Sequence, residues 1–159
     1  MNQIFKTTWE EFIEPFWRRP PERQVAALCY RGDAGDREIL LVTSRGSGRW
    51  ILPKGWHDDA TIPPHQAAAI EAWEEAGVAK GDVDPRPLGR FDYRKLLDNG
   101  LITPLEATVF PLKVRKLADN FPERAERKRK WVKPEMAIKM VSEPGLRRII
   151  RRAEIHSDK

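Results

Sequence analysis

An α/β or α+β domain built on a mixed sheet is the fold class this sequence predicts, and three observations predict it. Two β-type runs, Gln24 to Tyr30 and Glu38 to Thr43, flank Arg31-Gly32-Asp33-Ala34-Gly35-Asp36, whose Gly and Asp content is turn chemistry. A helix follows from Pro64 to Ala76, started by proline and closed by Gly77 as a C-terminal cap. Further strands and two closing helices then complete an order that places helices against a mixed sheet.

Taken in chain order, residues 1–22 read as an N-terminal arm, with a short amphipathic helix around Trp9, Phe12, Ile13 and Phe16 that Pro20-Pro21 stops. Its aromatics are expected to dock on the domain, which spans 23–155 and leaves a tail at 156–159. The two flanking runs form a hairpin. A short strand from Arg49 to Leu52 enters Pro53-Lys54-Gly55, and a polar loop leads to the helix. Strands are expected around Arg86 to Lys95 and Thr103 to Val114, the second alternating Leu105, Ala107, Val109 and Pro111. Arg115 to Lys130 is a charged segment, and Pro134 to Val141 and Pro144 to Ala153 are the closing helices. No repeat or linker divides the chain, and 159 residues suit one domain with a real core.

Lys and Arg number 29 against 24 Asp and Glu, a net charge of +5, which biases the partner toward an anion. The lone Cys29 lies in an apolar run and reads as a small core side chain; it excludes any disulfide or cysteine-based metal site within the chain. No apolar stretch approaches membrane-spanning length, so a soluble, cytoplasmic protein is expected.

Residues three and four apart share a helix face, so Glu71, Glu74 and Glu75 project together while Ala69, Ala72, Trp73 and Ala76 lie roughly opposite, with Trp73 in the core. Like charges at this spacing cost about 0.2–0.5 kcal/mol per pair. A hard divalent cation would remove that repulsion, although a solvated acidic face is the ordinary alternative.

The run Leu52-Pro53-Lys54-Gly55, then a loop, then Glu71-Ala72-Trp73-Glu74-Glu75-Ala76-Gly77-Val78 resembles the Nudix box. The resemblance implies a Nudix α/β/α sandwich. It also implies metal binding by Glu71, Glu74, Glu75 and the Gly55 carbonyl, with Mg²⁺ or Mn²⁺ as cofactor. It departs from the family in two linked places: Ile70 stands where an arginine usually precedes the first glutamate, and Thr61-Ile62 stand near the missing loop glutamate that would pair with it. The Gly-to-helix spacing is also one residue longer. Losing both partners of an ion pair can be nearly neutral, so the site reads as rearranged, with Asp58 and Asp59 the candidate substitutes. Beyond the box, Val25 to Arg31, Ile39 to Arg45, Arg49 to Pro53 and Lys128 to Ile138 resemble the diphosphoinositol polyphosphate and diadenosine polyphosphate phosphohydrolase branch.

That branch implies hydrolysis of a phosphoanhydride in a polyphosphorylated metabolite, an anionic small molecule rather than a membrane or an obligate nucleic-acid partner. The resemblance orders the catalytic carboxylates as Glu75, Glu74, Glu71. Phosphate is gripped by guanidinium and ammonium groups, and Arg45, Arg49, Lys54, Arg127, Lys128 and Arg129 are the candidates, with a solvated basic loop the alternative for 127–130. Glu106 is either a further acid near the metal or an exposed strand residue. The tryptophans read as packing residues, and His57, His65 and His156 as solvent-exposed. ADP-ribose or nucleoside triphosphate hydrolysis and a non-enzymatic anion-binding module are the alternatives. Glu75→Gln is expected to lower turnover by orders of magnitude while leaving the melting temperature unchanged or slightly raised, because it relieves like-charge repulsion; turnover within a few-fold of wild type would refute the assignment.

Overall fold

The structure is a computed structural model describing residues 22–155. The expected N-terminal arm, apart from Glu22, and the 156–159 tail with His156 lie outside the described residues.

A central parallel pair organises the sheet. Strand β1 (Glu22–Arg31) runs beside β7 (Ile102–Leu117) in an unbroken register from Glu22 opposite Leu105 to Tyr30 opposite Lys113. Strand β1 is apolar at successive positions from Val25 to Cys29, and β7 from Val109 to Leu112 after an alternating first half, as strands covered on both faces require. Val25, Ala27 and Cys29 point to one face, and Ala26 and Leu28 to the other.

The outer edges of this pair are each shared by two partners. The start of β1 pairs with β4 (Lys54–Trp56) through Gln24 opposite Trp56 and Ala26 opposite Lys54, while its end pairs with β2 (Glu38–Thr43). Strand β7 likewise pairs first with β6 (Gly89–Leu96), then with β5 (Val78–Val83). Strand β2 is flanked by β3 (Trp50–Ile51) and β8 (Arg129–Val132). Because β1 exchanges β2 for β4 along its length, the sheet splays at one end, and that opening receives the site.

Helix α1 (Pro64–Ala76) covers one face, and α2 (Pro134–Met140) and α3 (Pro144–Ile155) lie over the other. The α/β/α sandwich is therefore the observed architecture. Ala67, Ala68, Ala72 and Ala76 are buried, and their small side chains let α1 lie close on Val25, Ala27, Cys29 and Phe110. Burial without a charge partner pushes the Cys29 thiol up to about 12, so it stays protonated core. Among the described residues no helix is long and apolar enough to cross a membrane.

Helix α1 has the expected limits, as does β2. The structure adds β4, β5 and β8, which the sequence pattern left as loop or charged segment. Strand β8 is Arg-Lys-Trp-Val, and its pairing comes from β2 (Leu41 opposite Lys130, Ile39 opposite Val132) rather than from its own alternation. Trp73 is corrected: it is 37% exposed, beside Ile70 at 42%. The buried stripe of α1 runs instead through the alanines and Glu75. His57 and His65 are also corrected to half-buried. Nε2 of His57 lies 2.6 Å from the Ile62 carbonyl, bracing the loop before α1, and His65 tilts against Phe110.

Gly77 ends α1 at φ 73°, the left-handed region, with its N–H returning to the Trp73 carbonyl. A Cβ there would press on Phe121 Cδ1 and an Arg129 nitrogen. Gly77→Ala is expected to destabilise the domain by about 1–2 kcal/mol from backbone conformation alone, plus the cost of that contact. Urea unfolding with an unchanged midpoint would show that the cap is dispensable.

Candidate active site: a carboxylate helix facing a basic cleft

Gly55, in β4, is where the strand meets the helix. The Glu71 carboxyl lies where a Gly55 Cβ would stand, so any side chain at position 55 would displace that carboxyl from its present place. One turn on, Glu75 is buried, with one oxygen accepting the Lys54 backbone N–H at 3.2 Å and the other receiving Arg127 Nη2 at 2.9 Å. Glu74 completes the acidic face, and its carbonyl accepts the backbone N–H of Glu123 at 3.0 Å. This contact places a fourth carboxylate, Glu123, 3.2 Å from Arg127 Nη2.

A cleft of about 890 Å³ opens over these groups. Glu71, Glu74, Glu75, Gly55, Arg45, Arg49, Lys54 and Arg127 all line it. Arg45 reaches from the turn after β2 to Glu123 and Glu126, at 3.4 and 3.7 Å, yet is 61% exposed. Arg49 is half-exposed, 3.9 Å from buried Glu143. The Lys54 ammonium lies over the Tyr93 ring at 5.1 Å, and the Tyr93 hydroxyl donates to Gln24 Oε1. Burial lowers the Lys54 pKa, against the pull of Glu75 and Glu143.

The basic run before Trp131 divides. Arg127 enters the cleft but is buried among protein groups. Arg129 does not line the cleft: its Nη1 donates to the Ala76 and Ala118 carbonyls at 2.9 Å each, and its guanidinium covers Phe121, so it tethers the end of α1. Lys128 is exposed and off the cleft; its backbone N–H donates to Thr43 Oγ1. Of the three basic candidates in this run, Arg127 alone lines the cleft, and Lys128 and Arg129 lie off it. Arg94 and Lys95, at the end of β6, also line the cleft. The sequence showed them only as strand residues; the β6 to β7 register decides where they go.

Glu106 pairs with Arg90 at 3.7 Å and is not a cleft residue. Asp59 is occupied by Thr61, accepting its backbone N–H at 2.9 Å and its hydroxyl at 2.6 Å, which holds its carboxyl below the usual range. Asp58 lines the cleft.

Residues 20–153 match the NUDIX domain family. The chain belongs to the Nudix hydrolase family. Diphosphoinositol polyphosphate phosphohydrolase 3-alpha of Homo sapiens is 35% identical over 123 residues, covering 76% of this chain and 69% of the relative. Nudix hydrolase 12, mitochondrial, of Arabidopsis thaliana is 35% identical over 107 residues, 65% of this chain and 51% of that protein, so the chain spans about half its length. The crystal structure of a C. elegans Ap4A hydrolase superposes with a TM-score of 0.64 at 22% identity, covering 86% of this chain and 98% of that one, a likeness of fold.

Within this Nudix frame the donor set suits a hard cation. Glu71 is pushed up to about 7 mainly by burial and then by Glu75 and Glu74, with only a smaller opposing pull from Arg127, so a bound cation would add the positive charge this carboxyl is short of. Among the described residues no group of three or more His, Cys, Asp or Glu side chains is arranged to hold a metal ion by itself. Mg²⁺ does not demand one, since it ordinarily keeps several waters and takes one or two carboxylates plus substrate oxygens.

The expected stability of Glu75→Gln is corrected as well. Glu75 and Arg127 have side chains only 8% and 5% exposed, so neutralising one leaves a buried charge short of its partner, and the melting temperature should fall. Glu71 behaves oppositely. Its folded pKa of about 7 exceeds the ordinary 4.5, so the fold binds the proton more tightly than the unfolded chain does. In chelator, the stability this proton lends is present below about pH 4.5 and is lost as pH rises through about 7. Thermal melts should show that decline, and Glu71→Gln should flatten it; an identical slope in the variant would place the titration elsewhere.

Proposed function

We propose that this chain is a divalent-metal-dependent hydrolase of phosphoanhydride bonds in a polyphosphorylated small molecule of the diphosphoinositol polyphosphate or diadenosine polyphosphate type. The observation that carries the reading is one cleft with carboxylates on its helix side and Arg45, Arg49, Lys54, Arg94 and Lys95 around it. The names of the human and C. elegans relatives point the same way.

A bound Mg²⁺ or Mn²⁺ would be held by Glu71, Glu74, Glu75 and the Gly55 carbonyl, and would polarise a phosphoryl oxygen and lower the pKa of water. The carboxylates are the proposed proton acceptors for the attacking water. Glu75 is held in one orientation by Lys54 and Arg127, while Glu71 and Glu74 face the cleft from the same side. Exposed Arg45 and Arg49 hold the polyanion near the helix, and Arg94 and Lys95 hold more distant phosphates, a ground-state role that acts on KM.

A substrate panel with and without Mg²⁺ tests the reaction: metal-dependent release of phosphate or nucleotide is expected, and no turnover of any phosphoanhydride would favour an anion-binding module. Neutralising Arg45, Arg94 and Lys95 together should raise KM for highly phosphorylated substrates more than for ADP-ribose. That difference should shrink with salt, since exposed charges are screened over about 8–10 Å at ordinary ionic strength. Equal losses for every substrate would reduce the reading to a general pyrophosphatase.

A further inference from the structure

Ile70 leaves the carboxylate helix without an arginine before its first glutamate; it is 42% exposed and does not line the cleft. A guanidinium nevertheless lies against the carboxylates, delivered from a segment more than fifty residues away. Arg127 Nη2 donates to Glu75 Oε1 at 2.9 Å and to Glu123 Oε1 at 3.2 Å, while Nη1 donates to the Thr43 carbonyl at 2.9 Å. The backbone around Arg127 is fixed in turn, because Thr43 N–H donates to the Lys128 carbonyl and Lys128 N–H to Thr43 Oγ1. The second oxygen of Glu75 accepts from Lys54 N–H. A carboxylate held on both oxygens by groups anchored to the sheet has a single orientation, and a planar guanidinium fork imposes that geometry where a flexible ammonium does not.

We propose that Arg127 is a positioning residue for the metal centre: it orients Glu75 and ties Glu123 to it, replacing from β8's approach the guanidinium that the helix lacks at position 70. The inference rests on the metal-dependent reading above. It also separates Arg127 from its basic neighbours. With its side chain 5% exposed and both terminal nitrogens engaged by protein, Arg127 would have to abandon Glu75 to grip a phosphate, whereas Arg45 is 61% exposed and accessible. The two roles leave different signatures. A phosphate grip acts on KM, while a group that orients a metal ligand acts on ion binding and on kcat.

The test is Arg127→Lys, which keeps the charge and removes the fork. Melting in chelator reports folding, Mn²⁺ titration followed by electron paramagnetic resonance reports ion binding without substrate, and steady-state kinetics separate kcat from KM. Orienting partners of metal ligands are typically worth about 10–100-fold in metal affinity or activity. Weaker Mn²⁺ binding and lower kcat of that size, with KM little changed, are expected. A second comparison covers a variant that folds poorly: Glu75→Gln/Arg127→Met removes both members of the buried pair, which is milder for folding than losing one. It should bind Mn²⁺ no worse than Glu75→Gln alone. A raised KM with unchanged Mn²⁺ binding in Arg127→Lys would overturn the inference, as would a further large loss in the double variant. Wild-type protein that binds no Mn²⁺ would overturn the metal-dependent reading together with it.

Discussion

The parallel register of β1 against β7 is the constraint on which the other elements depend. Each strand spends its outer edge on two partners in succession, β4 then β2 for β1, and β6 then β5 for β7. A sheet whose neighbours change partway along must open where they diverge. Lys54 and Gly55 sit on one side of that opening and Tyr93, Arg94 and Lys95 on another, so strand pairing sets the walls of the cleft before any side-chain chemistry is considered.

Into that opening the chain places one acidic helix, and the packing of α1 shows how it is tolerated. Its alanines provide close contact, and Gly55 admits the Glu71 carboxyl. Glu75 is the costly residue, since burial of a carboxylate disfavours its charge. Burial raises its pKa, and Arg127 and the Lys54 N–H oppose that rise. The acidic site and the basic segment are thus one electrostatic unit, although far apart in sequence.

The same unit explains how the family motif survives with two residues missing. Nudix membership rests on residues 20–153, yet the helix has Ile70 where an arginine is usual. The buried guanidinium is delivered by the approach to β8 instead, and Asp59, one candidate substitute, is spent on its own turn with Thr61. A positive charge beside clustered carboxylates is an electrostatic requirement, and more than one element of the fold can meet it.

Helix α1, its glycine cap, strand β2 and the shared face of Glu71, Glu74 and Glu75 were legible in the sequence, because capping, periodicity and spacing are local and each residue carries its own signal. Strands β5 and β8, exposed Trp73 and the division of the basic run were not. Arg127, Lys128 and Arg129 are near-identical as text, and only pairing of their segment with β2 sends the first to Glu75, the second to solvent and the third to the end of α1. Arg94 and Lys95 became cleft residues the same way, through the β6 to β7 register. Sequence by itself determined the composition of the acidic helix and the fold class, since these follow from short-range periodicity. Tertiary structure decided which cation meets which carboxylate, because that depends on contacts between residues distant along the chain, where strand register, not spacing, sets the geometry.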